Sequence, residues 1–151
     1  MVNSTYNCLT RAHEGDSVFV YKKFWKSKVM PSALVFAWRV LENKIATRTN
    51  LERHGIAVES LLCSLYGVEE ETCRHLFFEC RIAWTVWSHC LTWLGVMLVS
   101  YNDPLLNLFQ FRLCNASDSV NDVCGAIWIA VVCEIWKHRN NVIFKGGWLI
   151  V

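Results

Sequence analysis

Residues 63–80 read Cys63-Ser64-Leu65-Tyr66-Gly67-Val68-Glu69-Glu70-Glu71-Thr72-Cys73-Arg74-His75-Leu76-Phe77-Phe78-Glu79-Cys80. This stretch holds three of the eight cysteines and one of the five histidines of the 151-residue chain. Its glycine permits a tight turn, and its run of glutamates leads into an apolar helical pattern. Thiolates and imidazoles are the donors of structural zinc sites, which use four of them. The stretch therefore predicts a zinc-knuckle-like turn between helices.

The spacing of these donors departs from that of a zinc knuckle. Two cysteines separated by two residues are wanted, but Tyr66 stands in the second place. A phenol with a pKa of about 10 is a poor zinc ligand at neutral pH, so Cys73 is the substitute that the spacing offers. On a continuous α-helix His75 and Cys80 would diverge by about 140°, so the helix must break near Cys80 if both bind. The alternative is that Cys63, Cys73 and Cys80 are core thiols and that His75 is a hydrogen-bonded helix residue.

The length and the cysteine usage restrict the class of protein. A chain of 151 residues predicts one domain or a fragment of a larger protein. The first residues lack the basic and apolar regions of a signal peptide, which predicts an intracellular protein of the nucleus or cytoplasm that is not secreted. In a reducing compartment cysteines serve as metal ligands or core residues. The scattered cysteines predicted to be core residues are Cys8, Cys90, Cys114, Cys124 and Cys133.

Basic residues are concentrated in one part of the chain. The net charge is only +2, but residues 20–56 contain eight Lys or Arg and two Glu. One interpretation is weak, non-specific phosphate contact with RNA or single-stranded DNA, with Trp25 or Tyr21 stacking on a base. The alternative is a solvated helix face above core aromatic residues. The residues predicted to contact nucleic acid are Lys22, Lys23, Lys26, Lys28, Arg48 and Arg53.

Periodicity and end signals predict a mainly α fold. Residues 5–9 alternate weakly, which allows a short N-terminal strand or an extended arm, and a helix is expected to end at about Lys26. Pro31 fits the first turn of the next helix, whose predicted core stripe is Leu34, Val35, Trp38 and Leu41.

The remaining helices are predicted from their end signals. Thr49 and Glu52 have capping-box spacing before a C-terminal Gly55. Thr72 is expected to cap the helix that carries His75, with residues 69–71 and Glu79 on a solvated face. Further helices are expected from Cys80 to about residue 94 and from about 120 to 141, with a looser connection between them. The 21 uncharged residues 82–102 are interrupted by polar side chains, so no membrane association is predicted.

Several motifs occur in one order along the chain. They are Phe24-Trp25-Lys26-Ser27-Lys28-Val29-Met30-Pro31, Phe36-Ala37-Trp38-Arg39, Thr47-Arg48-Thr49-Asn50-Leu51, Arg53-His54-Gly55-Ile56, Cys63, Glu71-Thr72, His75-Leu76-Phe77, Cys80 and Trp87. Together they resemble the reverse-transcriptase zinc-binding domain of plant non-LTR (LINE-type) retrotransposons. The ligand pattern of that family, carried over, implies zinc held by Cys63, His75 and Cys80. The chain departs from the family pattern at Tyr66 and at Arg81, where a proline is frequent.

The resemblance implies a non-catalytic module of a polyprotein that helps a polymerase hold nucleic acid and contacts the polymerase part. No paired-aspartate polymerase motif is present, which argues against an enzyme. The implied organisation is an N-terminal arm over residues 1–18, the zinc-binding-like domain over 19–94 and a C-terminal helical extension over 95–151 packed on it. Two alternatives remain, namely a structural or protein-interaction helical module and a decayed transposon fragment that no longer binds zinc.

Overall fold

Six helical segments form the described part of the chain. The computed structural model describes residues 22, 24–95, 102–111 and 117–146. The α-helices are α1 (Pro31–Leu41), α2 (Arg48–Arg53), α3 (Arg81–Trp93), α4 (Pro104–Phe111) and α5 (Asp118–Lys145), and a π-helix spans His75–Glu79. The predicted mainly α fold is confirmed. The predicted strand at residues 5–9 and most of the predicted helix that ends near Lys26 lie outside the described residues.

Helix α5 is the element on which most of the other helices pack. It contacts α1, α3, α4 and the π-helix, and α3 also packs on the π-helix. By length and composition alone α5 could cross a membrane, but the core helix of a soluble protein passes the same test. Its buried residues include Trp128, Val132 and Ile135. The segment carrying the candidate ligands therefore rests on a helix that begins more than 35 residues after it.

Aromatic rings fill the centre of this packing. Phe78 stacks on both Trp87 and Trp128, at centroid distances of 6.1 and 6.3 Å. The indole N–H of Trp87 donates to the carbonyl of Phe77 at 2.6 Å, and that of Trp128 donates to Asn107 at 2.9 Å. Both buried indoles thus have the hydrogen-bond partner that burial of a tryptophan requires. The π-helix is fixed in place by this cluster.

Of the four residues in the predicted core stripe of α1, only Leu34 is buried, and Trp38 and Leu41 are half-buried against the core. Leu34, Ala37 and Val40 are buried, whereas Val35 is exposed. Spacings of three residues define this face, and the prediction passed over Ala37 because a small side chain contributes little to a hydrophobic pattern. The helix begins at Pro31, as predicted. Proline suits the first turn because it has no N–H that would remain unpaired there.

Helix α2 is capped by a different threonine from the predicted one. Thr47 is the N-cap and accepts the N–H of Asn50 at 3.4 Å. The Thr49 hydroxyl instead donates to the carbonyl of Glu71 at 3.0 Å, so the predicted capping box is wrong. Gly55 does follow the helix with φ +75°, as predicted, a conformation that glycine adopts without strain.

Two predictions about the second half of the chain need correction. The expected loose connection after residue 102 contains α4, which Asp103 begins by accepting the N–H of Leu106 at 3.0 Å. Asp103 and Pro104 are thus a helix-start signal and not only a break. Helix α5 extends beyond the predicted range at both ends, to Asp118 and Lys145.

Glu71 does not lie on a solvated face, contrary to prediction. Its side chain is fully buried, and Oε1 lies 2.5 Å from Nη2 of Arg139 in α5. Its other oxygen accepts the Ser64 hydroxyl at 2.6 Å. Burial alone would raise the pKa of Glu71, but the hydrogen bonds from Arg139 and Ser64 outweigh it, so the pKa lies below its usual value. This ion pair joins the ligand-bearing segment to the C-terminal helix.

Candidate metal centre

The first ligand lies in a tight turn. An antiparallel bridge pairs Leu62 with Glu70, and Cys63 donates its N–H to the carbonyl of Glu69 at 2.7 Å. Gly67 has φ +73° and returns its N–H to the carbonyl of Cys63 at 2.7 Å. Only glycine adopts this conformation freely. The turn therefore has the compact geometry that the sequence predicted for a knuckle.

The second and third ligands are brought together by the π-helix. The N–H of Cys80 donates to the carbonyl of His75 at 2.7 Å, a bond that spans five residues. This wider turn returns residue i+5 to a position above residue i, which an α-helix does not do. Cys80 itself leaves the helical conformation, with φ −56° and ψ 133°, before α3 begins. The predicted break near Cys80 is confirmed.

Thr72 caps the helical segment, as predicted, by accepting the N–H of His75 at 2.9 Å. We expect Thr72→Val to lower the free energy of unfolding by about 1 kcal/mol, because this N–H would lose its partner while the side-chain volume is kept. Urea unfolding followed by circular dichroism measures the change. Thr85→Val, at an exposed site in α3, is the control, and an equal effect of the two substitutions would contradict the capping role.

The donor atoms of Cys63, His75 and Cys80 converge. One donor from each lies within 4.8 Å of the other two, and all three residues are buried. The two sulfurs are 3.9 Å apart. Two Zn–S bonds of 2.3 Å meeting at a tetrahedral angle place the sulfurs about 3.8 Å apart. The spacing of the two cysteines thus suits a tetrahedral ion.

Backbone N–H groups favour thiolates at both cysteines. A hydrogen bond from the Cys63 thiol lowers the pKa of Cys80 to about 6, and the backbone N–H groups of Ile82 and Ala83 at the start of α3 act in the same direction. The pKa of Cys63 is raised, first by its bond to Cys80 and then by burial, although the N–H groups of Leu65 and Tyr66 oppose this. Zinc binds the thiolate form, so Cys80 is favoured as a ligand before the ion arrives, whereas Cys63 must release its proton when the ion binds.

The imidazole ring of His75 is buried and placed to ligate a metal ion. The residue is 4% exposed, and neither ring nitrogen has a hydrogen-bond partner among the residues that the structure describes. The Glu69 carboxylate lies 3.0 Å from Nδ1 but outside hydrogen-bonding geometry. A buried, unpaired imidazole costs free energy unless something else binds it. A metal ion between the ring and the two thiolates would meet that requirement, so the three residues fit zinc.

Cys73, the predicted fourth ligand, does not lie with these three, and Tyr66, which occupies the place of the missing cysteine, is not a substitute. Tyr66 is exposed, and its hydroxyl accepts a hydrogen bond from Arg81 at 3.1 Å. The Cys73 thiol donates to the carbonyl of Val40 in α1 at 3.5 Å, and burial raises its pKa to about 12. Cys73 therefore behaves as a core thiol. A fourth position is left for a carboxylate such as that of Glu69, or for water.

The residues predicted to contact nucleic acid have different surroundings. Lys22, Lys26, Lys28 and Arg53 are exposed, and Lys23 lies outside the described residues. Arg48 is half-buried; it donates to the carbonyl of Ser60 at 3.0 Å and lies 4.0 Å from Glu71. The Arg48 guanidinium is therefore engaged in contacts within the protein. Sequence reasoning did not single out Glu71 as a buried group or Arg74 as an exposed cation.

Of the scattered cysteines, Cys124 is buried and Cys90 and Cys133 are half-buried. Cys8 and Cys114 lie outside the described residues. Burial raises the pKa of each of the three described thiols. None of the three belongs to the group of donors that converges at Cys63, His75 and Cys80.

A comparison with protein families gives a match for more than half of the chain. The model of the family described as zinc-binding in reverse transcriptase matches residues 1–87. Searches of curated proteins and of solved structures give no significant match. The matched range contains all three converging ligands and ends inside α3.

Proposed function

We propose, from the premise that this chain belongs to the family of zinc-binding domains in reverse transcriptase, that it is an accessory module which binds one zinc ion and helps the enzyme hold RNA or single-stranded DNA. Cys63, His75 and Cys80 would hold the ion. Zinc in such a site would be structural, because it would cross-link the knuckle turn, the π-helix and the start of α3. A LINE-type retrotransposon of a plant is the proposed parent element.

The observation that carries the proposal is the convergence of three buried donors produced by the π-helix. A continuous α-helix would place His75 and Cys80 on different faces, so the departure from α geometry has a reason if both bind one ion. π-Helical turns are rare in proteins, but those that occur are often at functional sites. The cross-link would join the knuckle turn to the start of α3.

Nucleic-acid contact is supported by the charge of the segment before α1. Lys22, Lys26 and Lys28 are exposed around Trp25, whose side chain is 47% exposed. Cations beside an exposed aromatic ring suit a single strand, because phosphates pair with the cations and a base can stack on the ring. Binding of this kind is weak, sensitive to salt and nearly independent of sequence.

The proposal is tested by replacing two of these lysines. We expect Lys26→Gln with Lys28→Gln to reduce the slope of log affinity against log salt for a labelled single strand by about 1.4, since each lost phosphate contact removes about 0.7. Fluorescence anisotropy between low and moderate salt measures the slope. Lys137→Gln with Lys145→Gln is the matched control, because it removes the same charge from exposed positions in α5. Equal slopes for both pairs, or no affinity at low salt, would contradict the proposal.

A protein-interaction role is favoured by one further observation. Trp93 at the end of α3 is 79% exposed and Phe144 near the end of α5 is 76% exposed. Large exposed aromatic side chains are enriched at interfaces. The polymerase part of the parent polyprotein is the partner proposed for these residues.

A further inference from the structure

Two adjoining cavities lie beside α2, where α1 ends. Their volumes are about 200 and 430 Å³, and both are lined by Asn43, Asn50 and Arg53. Because they share these residues, they form one concave surface, which we name the basic groove. The smaller cavity reaches the start of the segment that carries His75, and the larger one faces the turn that follows α1.

The lining of the basic groove carries positive charge and no carboxylate. Arg53 and Arg74 line the smaller cavity, and Lys44, Arg53 and His54 line the larger one, with no Asp or Glu among the described lining residues. Arg53 makes one long contact, of 3.5 Å, to Asn50, and Arg74 makes no hydrogen bond or ion pair within the described part of the chain. Lys44 has an exposed partner, Glu42, at 3.6 Å, and such surface pairs contribute little. The two guanidinium groups are thus available to an anion.

The floor of the groove is held rigidly. Asn43 has φ +52°, an uncommon conformation for a residue other than glycine. The buried side chain of Asn50 fixes it by donating to the carbonyl oxygen of Asn43 at 3.0 Å, to its side-chain oxygen at 3.1 Å and to the carbonyl of Ile45 at 2.9 Å. The cations around the groove are therefore mounted on a prearranged surface.

A line of aromatic rings connects the groove with the basic segment before α1. The ammonium of Lys44 lies 4.8 Å from the ring centroid of Trp38. That ring lies 6.4 Å from the ring of Trp25, which adjoins Lys26 in the chain. Alternating cations and aromatic faces follow one another over this surface, as in grooves that bind single strands. An acidic peptide would use the cations but would have no use for the rings.

We infer that the basic groove is a phosphate site for single-stranded nucleic acid, in which Arg53 and Arg74 hold one backbone phosphate while the strand continues over Trp38 and Trp25 toward Lys26. The inference rests on the proposed nucleic-acid function and names the surface that performs it. Guanidinium groups suit this role because their planar fork pairs with two phosphate oxygens at once. The exposed ring of His54 offers a further face for a base.

The test uses the full chain and a labelled 12-nucleotide oligothymidylate. We expect Arg53→Gln with Arg74→Gln to weaken binding at low salt by about tenfold or more, because charge-assisted hydrogen bonds to phosphate are lost. Arg39→Gln with Lys145→Gln removes the same charge from exposed positions that line neither cavity, and it should retain affinity within about twofold. Melting temperatures confirm that all variants are folded. Equal losses in the two pairs would overturn the inference.

Three further measurements separate failure of the groove from failure of the function. Inorganic phosphate alone should shift the backbone amide signals at positions 43 and 74 in the wild type and not in the variant with Arg53→Gln and Arg74→Gln. Shifts without any oligonucleotide binding would show a free-phosphate site and overturn the nucleic-acid assignment. Oligonucleotide binding that depends on Lys26 and Lys28 but not on Arg53 and Arg74 would leave the proposed function standing and overturn the groove. Displacement by hexaglutamate as readily as by unlabelled oligonucleotide would instead indicate an acidic peptide.

Discussion

Arg139→Met is expected to lower the free energy of unfolding by about 3 kcal/mol, since the buried carboxylate loses its main counter-ion and keeps only Arg48, at 4.0 Å. Glu71 is fully buried, and Arg139 contributes two bonds to Oε1, at 3.2 Å from Nε and 2.5 Å from Nη2. Removing one member of such a pair costs far more than removing an exposed charge. Urea unfolding at constant zinc concentration measures the change, and Arg39→Met, at an exposed position in α1, should change it by less than about 0.5 kcal/mol.

The double variant Glu71→Gln with Arg139→Met separates the charge from the packing. The N–H groups of Arg48 and Ser64 now bond to different oxygens of Glu71, at 3.2 Å each. The single oxygen of glutamine keeps one of these bonds and its NH2 group can donate to the Ser64 hydroxyl, while no buried carboxylate charge remains. We therefore expect the double variant to be more stable than Arg139→Met. A double variant that is less stable than the single one would contradict the argument that a buried carboxylate has lost its main counter-ion.

The pH dependence gives this prediction a second readout. The pKa of folded Glu71 lies below its ordinary value of 4.5, so the unfolded chain binds the proton more readily. The contribution of the carboxylate is then fully present above that value and is lost as the pH falls through the folded pKa. The stability difference between the wild type and the double variant should change below about pH 4.5 and stay constant above it.

The local signals of the fold were readable from the sequence, but the partners of buried polar groups were not. Pro31, Gly55 and Thr72 act as predicted, because each signal depends on residues a few positions away. Glu71 belongs to a run of three identical residues in which nothing local marks one as buried. The residue that pairs with it follows 68 positions later, and only tertiary packing brings the two together.

The candidate site shows the same division between local and long-range information. From the sequence, one could say only that Cys63, His75 and Cys80 converge if the helix breaks near Cys80, since continuous α geometry keeps His75 and Cys80 apart. The π-helix that meets the condition could not be predicted, because its wide turn depends on packing of Phe77 and Phe78 against α3 and α5. The thiol of Cys73 was a reasonable ligand by spacing, but its contact with Val40 of α1 lies outside any local pattern.

Zinc analysis of protein purified under reducing conditions is expected to give about one ion per chain. Cys80→Ser should lower the affinity by more than about 100-fold, because loss of a ligand exceeds the 10–100-fold effect of losing an outer partner of a ligand. Cys73→Ser should leave the affinity unchanged, since this thiol contacts Val40. Competition with a chromophoric chelator measures the zinc affinity of the wild type and of both serine variants. Equal effects of the two serine substitutions would contradict the assignment of the ligands.

Tyr66→Cys is expected to tighten zinc binding by at least about 100-fold, because it supplies the fourth thiolate of a knuckle. The N–H groups of Leu65 and Tyr66 already act on the sulfur of Cys63, so the backbone of the turn has the form that a second cysteine needs. The hydrogen bond lost is the exposed one to Arg81, which contributes little to stability. Tyr66→Phe is the control, since it removes the hydroxyl without adding a donor. If three ligands are present and one has been lost, both the wild type and Tyr66→Cys should bind zinc, and the variant should bind it more tightly. Zinc bound by Tyr66→Cys but not by the wild type would contradict zinc binding by this chain and would favour a decayed transposon fragment.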